Sequence, residues 1–293
     1  MTETADDRAA TALADFTAVR RRLFGIAYRM LGTVTEAEDV IQDVWIRWQG
    51  YAGKDSLDSP EAFLVTMATR QAITVATSAR VRRETYIGPW LPEPVDTSAD
   101  PTLGAERAEA LETAVLMLLE KLTPTERAAY VLREAFDYPY DAIAGIVDVS
   151  PANARQLVSR ARRHLADERR TPVPAPEHRR LLEAFLEAAR HGDIARLETL
   201  LAADVVSYSD GGGAVRASKW PVIGRERVAK FFHAFAPGFW PGVEAVLVDV
   251  NGAASYSLRT GGAEFAVVSL AIGDSGIERV FWQFNPAKLS PAP

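Results

Sequence analysis

The sequence contains no cysteine, which excludes a disulfide framework, thiolate catalysis and any zinc site built on thiolates. It has no apolar run near the ~20 residues that cross a bilayer. Its first residues, MTETADDRAATALADF, are acidic and alanine-rich, without the basic start and apolar stretch of a secretion signal. A soluble cytoplasmic chain with no membrane partner is expected. What remains is ordinary for a globular protein: 48% hydrophobic and 25% charged over 293 residues, enough for two or three domains. An overall charge of −6 argues at first sight against nucleic acid. Between Pro151 and Arg170, however, six arginines (155, 160, 162, 163, 169 and 170) face only Asp167 and Glu168, a local charge of +4. Affinity for DNA follows the charge presented to the phosphates, not the whole-chain sum.

Two proline-rich stretches punctuate the chain, GPWLPEPVDTSADP (88–101) and TPVPAP (171–176). Proline fixes φ and removes a backbone donor, so both read as extended connectors. They leave blocks at 1–87, 102–170 and 177–293. In the first block, Thr35 and Glu38 have capping-box spacing, which predicts a helix start there. Val40, Ile41, Val44, Trp45 and Trp48 then form one apolar stripe. Glu36, Asp39 and Asp43 lie on the other side, with Arg47 one turn beyond Asp43. That face is either a solvated surface or an acidic platform for a basic partner. A further helix is predicted from Pro60 to Arg83, with Phe63, Leu64, Met67, Ala68 and Ile73 inward and Arg80, Arg82 and Arg83 together at its end. Arginines there also suit the helix dipole.

The second block is sharper. In LTPTERAAYVLREAF, Thr123 can cap, Pro124 takes the first helical position and Glu126 closes a capping box. A short helix from Tyr140 to Val147, the turn DVS, and a helix from Pro151 capped by Ser150 make a helix-turn-helix candidate. At about 100° per residue, Ala154, Leu157, Val158, Ala161 and Leu165 share one arc of the second helix. Arg155, Gln156, Ser159, Arg160, Arg162 and Arg163 occupy the opposite arc, which carries no acid. Arginine pairs with guanine and glutamine with adenine, and further arginines grip phosphates. A core helix with a solvated basic face is the bland alternative, and DNA binding is favoured over it.

These residues resemble a known family. AYRMLGTVTEAEDVIQDVWIRW (27–48) is similar to region 2 of bacterial extracytoplasmic-function sigma factors, and LTPTERAAYVLREAFDYPYDAIAGIVDVSPANARQLVSRARRHL (122–165) to their region 4. RRETYIGPWLPEP (82–94) is similar to the linker of the SigJ-like subgroup, which carries a SnoaL-like C-terminal extension. The resemblance implies that Asp39, Gln42 and Asp43 dock on the clamp of the largest subunit of core RNA polymerase. It implies that Arg70, Arg80, Arg82 and Arg83 engage and open the −10 element, and that region 4 reads the −35 element of promoter DNA and meets the polymerase flap. AITVATSAR (72–80) departs from the pattern: Thr74, Ala76 and Thr77 stand where basic residues are usual, which shifts promoter opening onto Arg80 to Arg83 or weakens it. Asp148 stands at the turn where glycine is common, and aspartate tolerates that geometry.

In the third block, two helices broken at His191-Gly192-Asp193 precede strand-like runs at 204–208, 243–250, 253–258, 263–272 and 276–284, with a helix at 224–235. This α+β order resembles the NTF2-like cone of SnoaL cyclases and steroid isomerases. The expected fold is therefore multidomain: two all-α sigma domains and an α+β NTF2-like cone. Asp204, Tyr208, Asp210 and His233 are the candidates for acid–base chemistry. Kinship of fold does not carry chemistry with it, and no enzyme, catalytic residue, cofactor or metal is expected. A small-molecule ligand in the cone is a possible partner.

YSDGGGAVR (208–216) lacks a GK[ST] ending and opens no strand–loop–helix phosphate unit, so it reads as a turn. It matches the extension's first signature, with Asp210, Gly211, Gly212 and Gly213 kept and Ala214 in place of lysine. The second signature is Asn285, Pro286, Lys288 and Leu289, with Ala287 in place of aspartate. Both are assigned to a regulatory loop, and the two segments are expected to meet in space with an ion pair lost. The leading expectation is a promoter-specificity subunit modulated in cis by the extension. The alternative is a polymerase-independent DNA-binding regulator with a ligand-sensing NTF2-like domain.

Overall fold

The computed structural model describes residues 5–97, 111–166 and 173–289. Arg169, Arg170, Asp167 and Glu168 of the basic cluster, residues 98–101 of the first connector and 171–172 of the second lie outside these. The chain divides into two units, Met1–Arg82 with Leu118–Asp167, and Arg83–Met117 with Glu168–Pro293. No helix among the described residues is long and apolar enough to cross a membrane.

The first unit is helical. Helices α1 (Ala5–Leu31) and α2 (Val34–Gly50) are joined at Gly32, whose φ of 71° permits the reversal. Leu23, Ile26, Met30 and Leu31 of α1 pack with Val40, Ile41, Val44 and Trp48 of α2 in a dry core. The Trp48 indole N–H donates to Ala12 O at 2.9 Å, so this large side chain is buried without an orphaned donor. The expected cap at Thr35 is shifted by two residues. Thr33 is the N-cap, its hydroxyl donating to Glu36 at 2.8 Å, while Glu38 pairs with Arg20 at 2.6 Å. Both threonine–glutamate pairs have the same spacing, and the left-handed Gly32 ends α1 early enough for the upstream one to start the helix.

Helix α3 (Pro60–Glu84) buries Leu64 and Ala68 as expected, together with Val65, Ala72, Ala76 and Ala79. Beyond α4 (Thr113–Leu119) come α5 (Pro124–Glu134), α6 (Tyr140–Val147) and α7 (Pro151–Ala166). The α5 start is the expected reciprocal cap: Glu126 N donates to Thr123 Oγ1, and Thr123 N donates back to the Glu126 carboxylate. Asp148 closes α6 in the left-handed region (φ 59°, ψ 56°), and Ser150 accepts from Asn153 N at 3.2 Å to open α7.

The second unit contains α8 (Ala175–His191) and α9 (Ile194–Leu200), separated where expected. Gly192 is left-handed and Asp193 caps α9 by accepting from Arg196 N. Strands β1 (Leu201–Asp210), β2 (Val222–Ile223), β3 (Glu244–Val250), β4 (Ala253–Thr260), β5 (Ala263–Gly273) and β6 (Gly276–Gln283) form one sheet in the order β2-β1-β6-β5-β4-β3. The β1–β6 pair is parallel, placing Ser209 beside Trp282 and Asp210 beside Gln283; the other pairs are antiparallel. Helix α10 (Arg225–Phe239) and α8 cover one face around Phe185, Phe232, Leu258, Val268 and Trp282. A short α11 (Pro286–Leu289) follows β6.

Candidate nucleic-acid interface and a docked connector

Ala154, Leu157, Val158, Ala161 and Leu165 of α7 are all buried. That forces Arg155, Gln156, Ser159, Arg160, Arg162 and Arg163 outward, and all six are exposed. Three of them are already braced by neighbouring helices. Arg162 Nη2 donates to Glu134 at 2.7 Å, a bond that holds its guanidinium more firmly protonated than usual. Arg155 lies over the Tyr140 ring at 5.3 Å. Arg160 reaches Glu126 at 3.1 Å. Burial raises the Glu126 carboxyl, but the bonds from Thr123 and the Arg160 charge outweigh it and the net direction is down. One glutamate thus caps α5 and anchors the exposed helix.

Asp39, Gln42 and Asp43 are exposed together on α2. Asp43 accepts from Gln71 Nε2 at 3.0 Å, its partner being this residue of α3 rather than Arg47. The arginines along α3 have separate partners. Arg70 donates to Ile146 O at 2.8 Å and Gly145 O at 2.9 Å, satisfying carbonyls at the C-terminal end of α6. Arg80 is exposed, Arg82 pairs with Glu36, and Arg83, which belongs to the second unit, stacks at 3.7 Å over Trp90. The buried Arg127 of α5 donates to Met30 O at 2.7 Å, at the end of α1. In this first unit, then, the α1–α3 helices are clasped to the helix-turn-helix.

In the second unit the proline-rich connector lies on the sheet domain. Asp210 is fully buried and its carboxylate receives four donors. These are Tyr86 OH (2.6 Å), Leu91 N (2.9 Å), Gly212 N (3.0 Å) and Lys288 Nζ (2.7 Å). Lys288 Nζ also donates to Leu91 O at 2.6 Å and lies near the faces of Tyr86 and Trp90. Asn285 Nδ2 donates to Tyr86 OH at 2.8 Å, and Gln283 to Pro92 O at 3.2 Å. Further along, Asn251 accepts from Val95 N through its side chain and donates its own N–H to Val95 O, both at 2.9 Å. Burial, then the Asp210 carboxylate, push the Tyr86 phenol above its ordinary range. Burial lowers Lys288 against the opposing pull of Asp210.

The two signature segments do meet. Gly212 and Gly213 turn with φ of 58° and 75°, and a Cβ on Gly212 would collide with the Asn285 amide. An ion pair does join the two segments, but it is made by Asp210 and Lys288, other residues than the alanines at 214 and 287 where the lost pair was expected.

The family model for Sigma-70 region 2 matches residues 16–83, and that for Sigma-70, region 4 matches residues 112–165. The chain is 35% identical over 251 residues to the ECF RNA polymerase sigma factor SigJ of Mycobacterium tuberculosis (strain ATCC 25618 / H37Rv), covering 82% of this chain and 78% of that one. It belongs to the ECF RNA polymerase sigma factors. This sigma factor is also 29% identical to the probable ECF RNA polymerase sigma factor SigI of M. tuberculosis (strain CDC 1551 / Oshkosh), over 93% of its own length and 92% of the relative. The crystal structure of M. tuberculosis SigJ superposes with a TM-score of 0.76 at 29% identity, covering 96% of this chain and 99% of that one. Membership means that the protein directs RNA polymerase to promoters and starts transcription, and polymerase-independent regulation is not favoured.

Sigma factors are not enzymes; the four side chains named from the sequence for acid–base chemistry have these surroundings. Asp204 is exposed, Tyr208 stacks on Phe281, His233 Nδ1 contacts Gly192 O at 2.7 Å, and Asp210 is engaged by the connector. Reasoning from sequence missed Tyr86, Trp90, Asn251 and Arg127. The signal for the first two was an aromatic pair at the start of the proline-rich spacer, Tyr86 just before it and Trp90 within it, since a mere spacer has no use for large rings.

Proposed function

We propose that this sigma factor reads the −35 element through Arg155, Gln156, Ser159, Arg160, Arg162 and Arg163. Arg70, Arg80, Arg82 and Arg83 engage the −10 element. Polymerase docks through Asp39, Gln42 and Asp43 on the clamp of its largest subunit, and through the flap. The domain limits follow the proline stretches: 1–87 and 102–170 are the sigma domains, 88–101 and 171–176 the linkers, and 177–293 the regulatory domain. Reaching two separated promoter elements requires the clasped halves of the first unit to part. The connector that joins them must then be free to follow. Docking of Tyr86 to Val95 on the sheet domain holds the factor back in cis, and Asp210, Gly211, Gly212 and Gly213 with Asn285, Pro286, Lys288 and Leu289 form the dock. The observation that carries this reading is the buried Asp210 carboxylate, which takes one of its four donors from the connector, Leu91 N, and another from Tyr86 just ahead of it.

Run-off transcription with core polymerase tests it. A chain ending before Pro286, which loses Lys288, is expected to give more promoter-specific transcript than the full chain. Equal output from both would refute control by the dock, and no polymerase binding by either would refute the assignment of the α2 face.

A further inference from the structure

The sheet domain encloses a cavity of about 650 Å³, within the usual ~300–1,000 Å³ of small-molecule sites. Its walls are aromatic, with Phe231, Phe239 and Trp240 from one side meeting Phe265, Trp282 and Phe284 from the sheet. No acidic side chain or histidine lines it among the described residues; the one lining charge, Arg216, is exposed. A charged group would lose its hydration against such walls. Flat apolar rings would instead gain offset or edge contacts with them.

Trp282 is 4% exposed and its indole nitrogen is buried away from the cavity space, so this wall offers an occupant ring surface rather than a donor. Phe235, 57% exposed at the rim, leaves the mouth apolar as well.

The position of the cavity gives occupancy a consequence. Side chains alternate faces along a strand. Ser209, Trp282 and Phe284 line the cavity, while their neighbours Asp210, Gln283 and Asn285 hold the connector. Cavity and dock are thus back to back on the same ends of β1 and β6. The segment after the glycine turn, 215–218, lines the cavity as well.

We infer that this cavity binds an uncharged, flat, polycyclic apolar molecule, and that its occupancy alters connector docking across the shared strand ends. The coupling rests on the regulatory reading above; the binding does not.

Nile red, an uncharged fused-ring dye, is the probe, used with the full chain. Saturable one-to-one binding with a blue-shifted emission is expected. Ala217→Trp, which fills the cavity from a loop, and Phe235→Glu, which polarises the rim, should each weaken it at least tenfold while the circular dichroism melt is retained. No saturable binding, or binding indifferent to both variants, overturns the site. For the coupling, saturating dye should change the exchange rate of the Leu91 amide severalfold in the wild type and not in Ala217→Trp. An unchanged Leu91 rate with dye bound overturns the coupling. Lys288→Met, which releases the connector, should still bind the dye, and loss of binding there would overturn the independence of the cavity from the dock.

Discussion

Replacing Lys288 by methionine keeps the aliphatic stem and removes one charge from a pair whose two members are 8% and 0% exposed. Breaking a buried pair from one side costs about 3–5 kcal/mol, because the remaining charge is stranded. Asp210 would keep Tyr86 OH, Leu91 N and Gly212 N, which puts the cost at the low end, about 3 kcal/mol. That is on the order of 100-fold in the docked-to-undocked equilibrium. The assay is native-state hydrogen exchange. The Leu91 amide, bonded to Asp210, and the Thr97 amide, bonded to Asp249 O at 2.9 Å, should lose protection by about that factor. The Val280 amide in the core of the sheet should not. Asp210→Asn combined with Lys288→Met removes both charges and should recover part of the loss in a double-mutant cycle. Leu91 protection that is unchanged, or that falls in step with Val280, would refute a separately dockable connector held by this pair.

Arg70→Ala removes two hydrogen bonds to the α6 carbonyls from an exposed side chain. It should lower the stability of the first unit in urea by about 1 kcal/mol, and no change would show the clasp to be incidental. Gln156→Ala should cost about 1–3 kcal/mol at one base position of the −35 element, whereas Arg163→Ala should weaken binding to all sequences and lower the salt slope by about 1; footprinting across salt and operator variants separates them. His178 is lowered from its ordinary 6.5 by burial, only partly opposed by its contact with Leu270 O. The unfolded chain therefore takes up a proton that the folded one refuses, and stability falls as pH drops below about 6.5. Thermal melts between pH 7.5 and 5 should show this loss, and His178→Gln should flatten it.

The parts legible in the sequence were those whose causes are local. The 3.6-residue period set the buried and exposed arcs of α7 correctly residue by residue, and the Thr123–Glu126 cap and left-handed Asp148 stood where expected. Where two local solutions were equivalent, as with Thr33–Glu36 and Thr35–Glu38, spacing could not choose, and the turn at Gly32 decided. Strand β2 is two residues long, too short to carry a period. The arginines along α3 looked like one cluster because they are near in sequence, but their partners, Gly145, Ile146, Glu36 and Trp90, are chosen by the fold. Asp210 and Lys288 lie 78 positions apart. Attention to the substituted positions 214 and 287 obscured the pair that had been kept. Proline content matched the lack of helix at residues 89–97, yet says nothing of what such a segment lies against.

The central claim is that the docked connector restrains this sigma factor, and the cysteine-free chain allows a direct test. A Cβ on Gly213 would lie 3.5 Å from Ile87 Cβ, within the ~3.5–4.5 Å of disulfides, so Ile87→Cys with Gly213→Cys can lock the connector down. Cysteine at the φ of 75° found at Gly213 carries a cost of about 1–2 kcal/mol that is common to both redox states. Run-off transcription with core polymerase should be low when the pair is oxidised and rise when reductant opens it, while the wild type ignores reductant. Equal transcript from the oxidised and reduced protein would contradict the account.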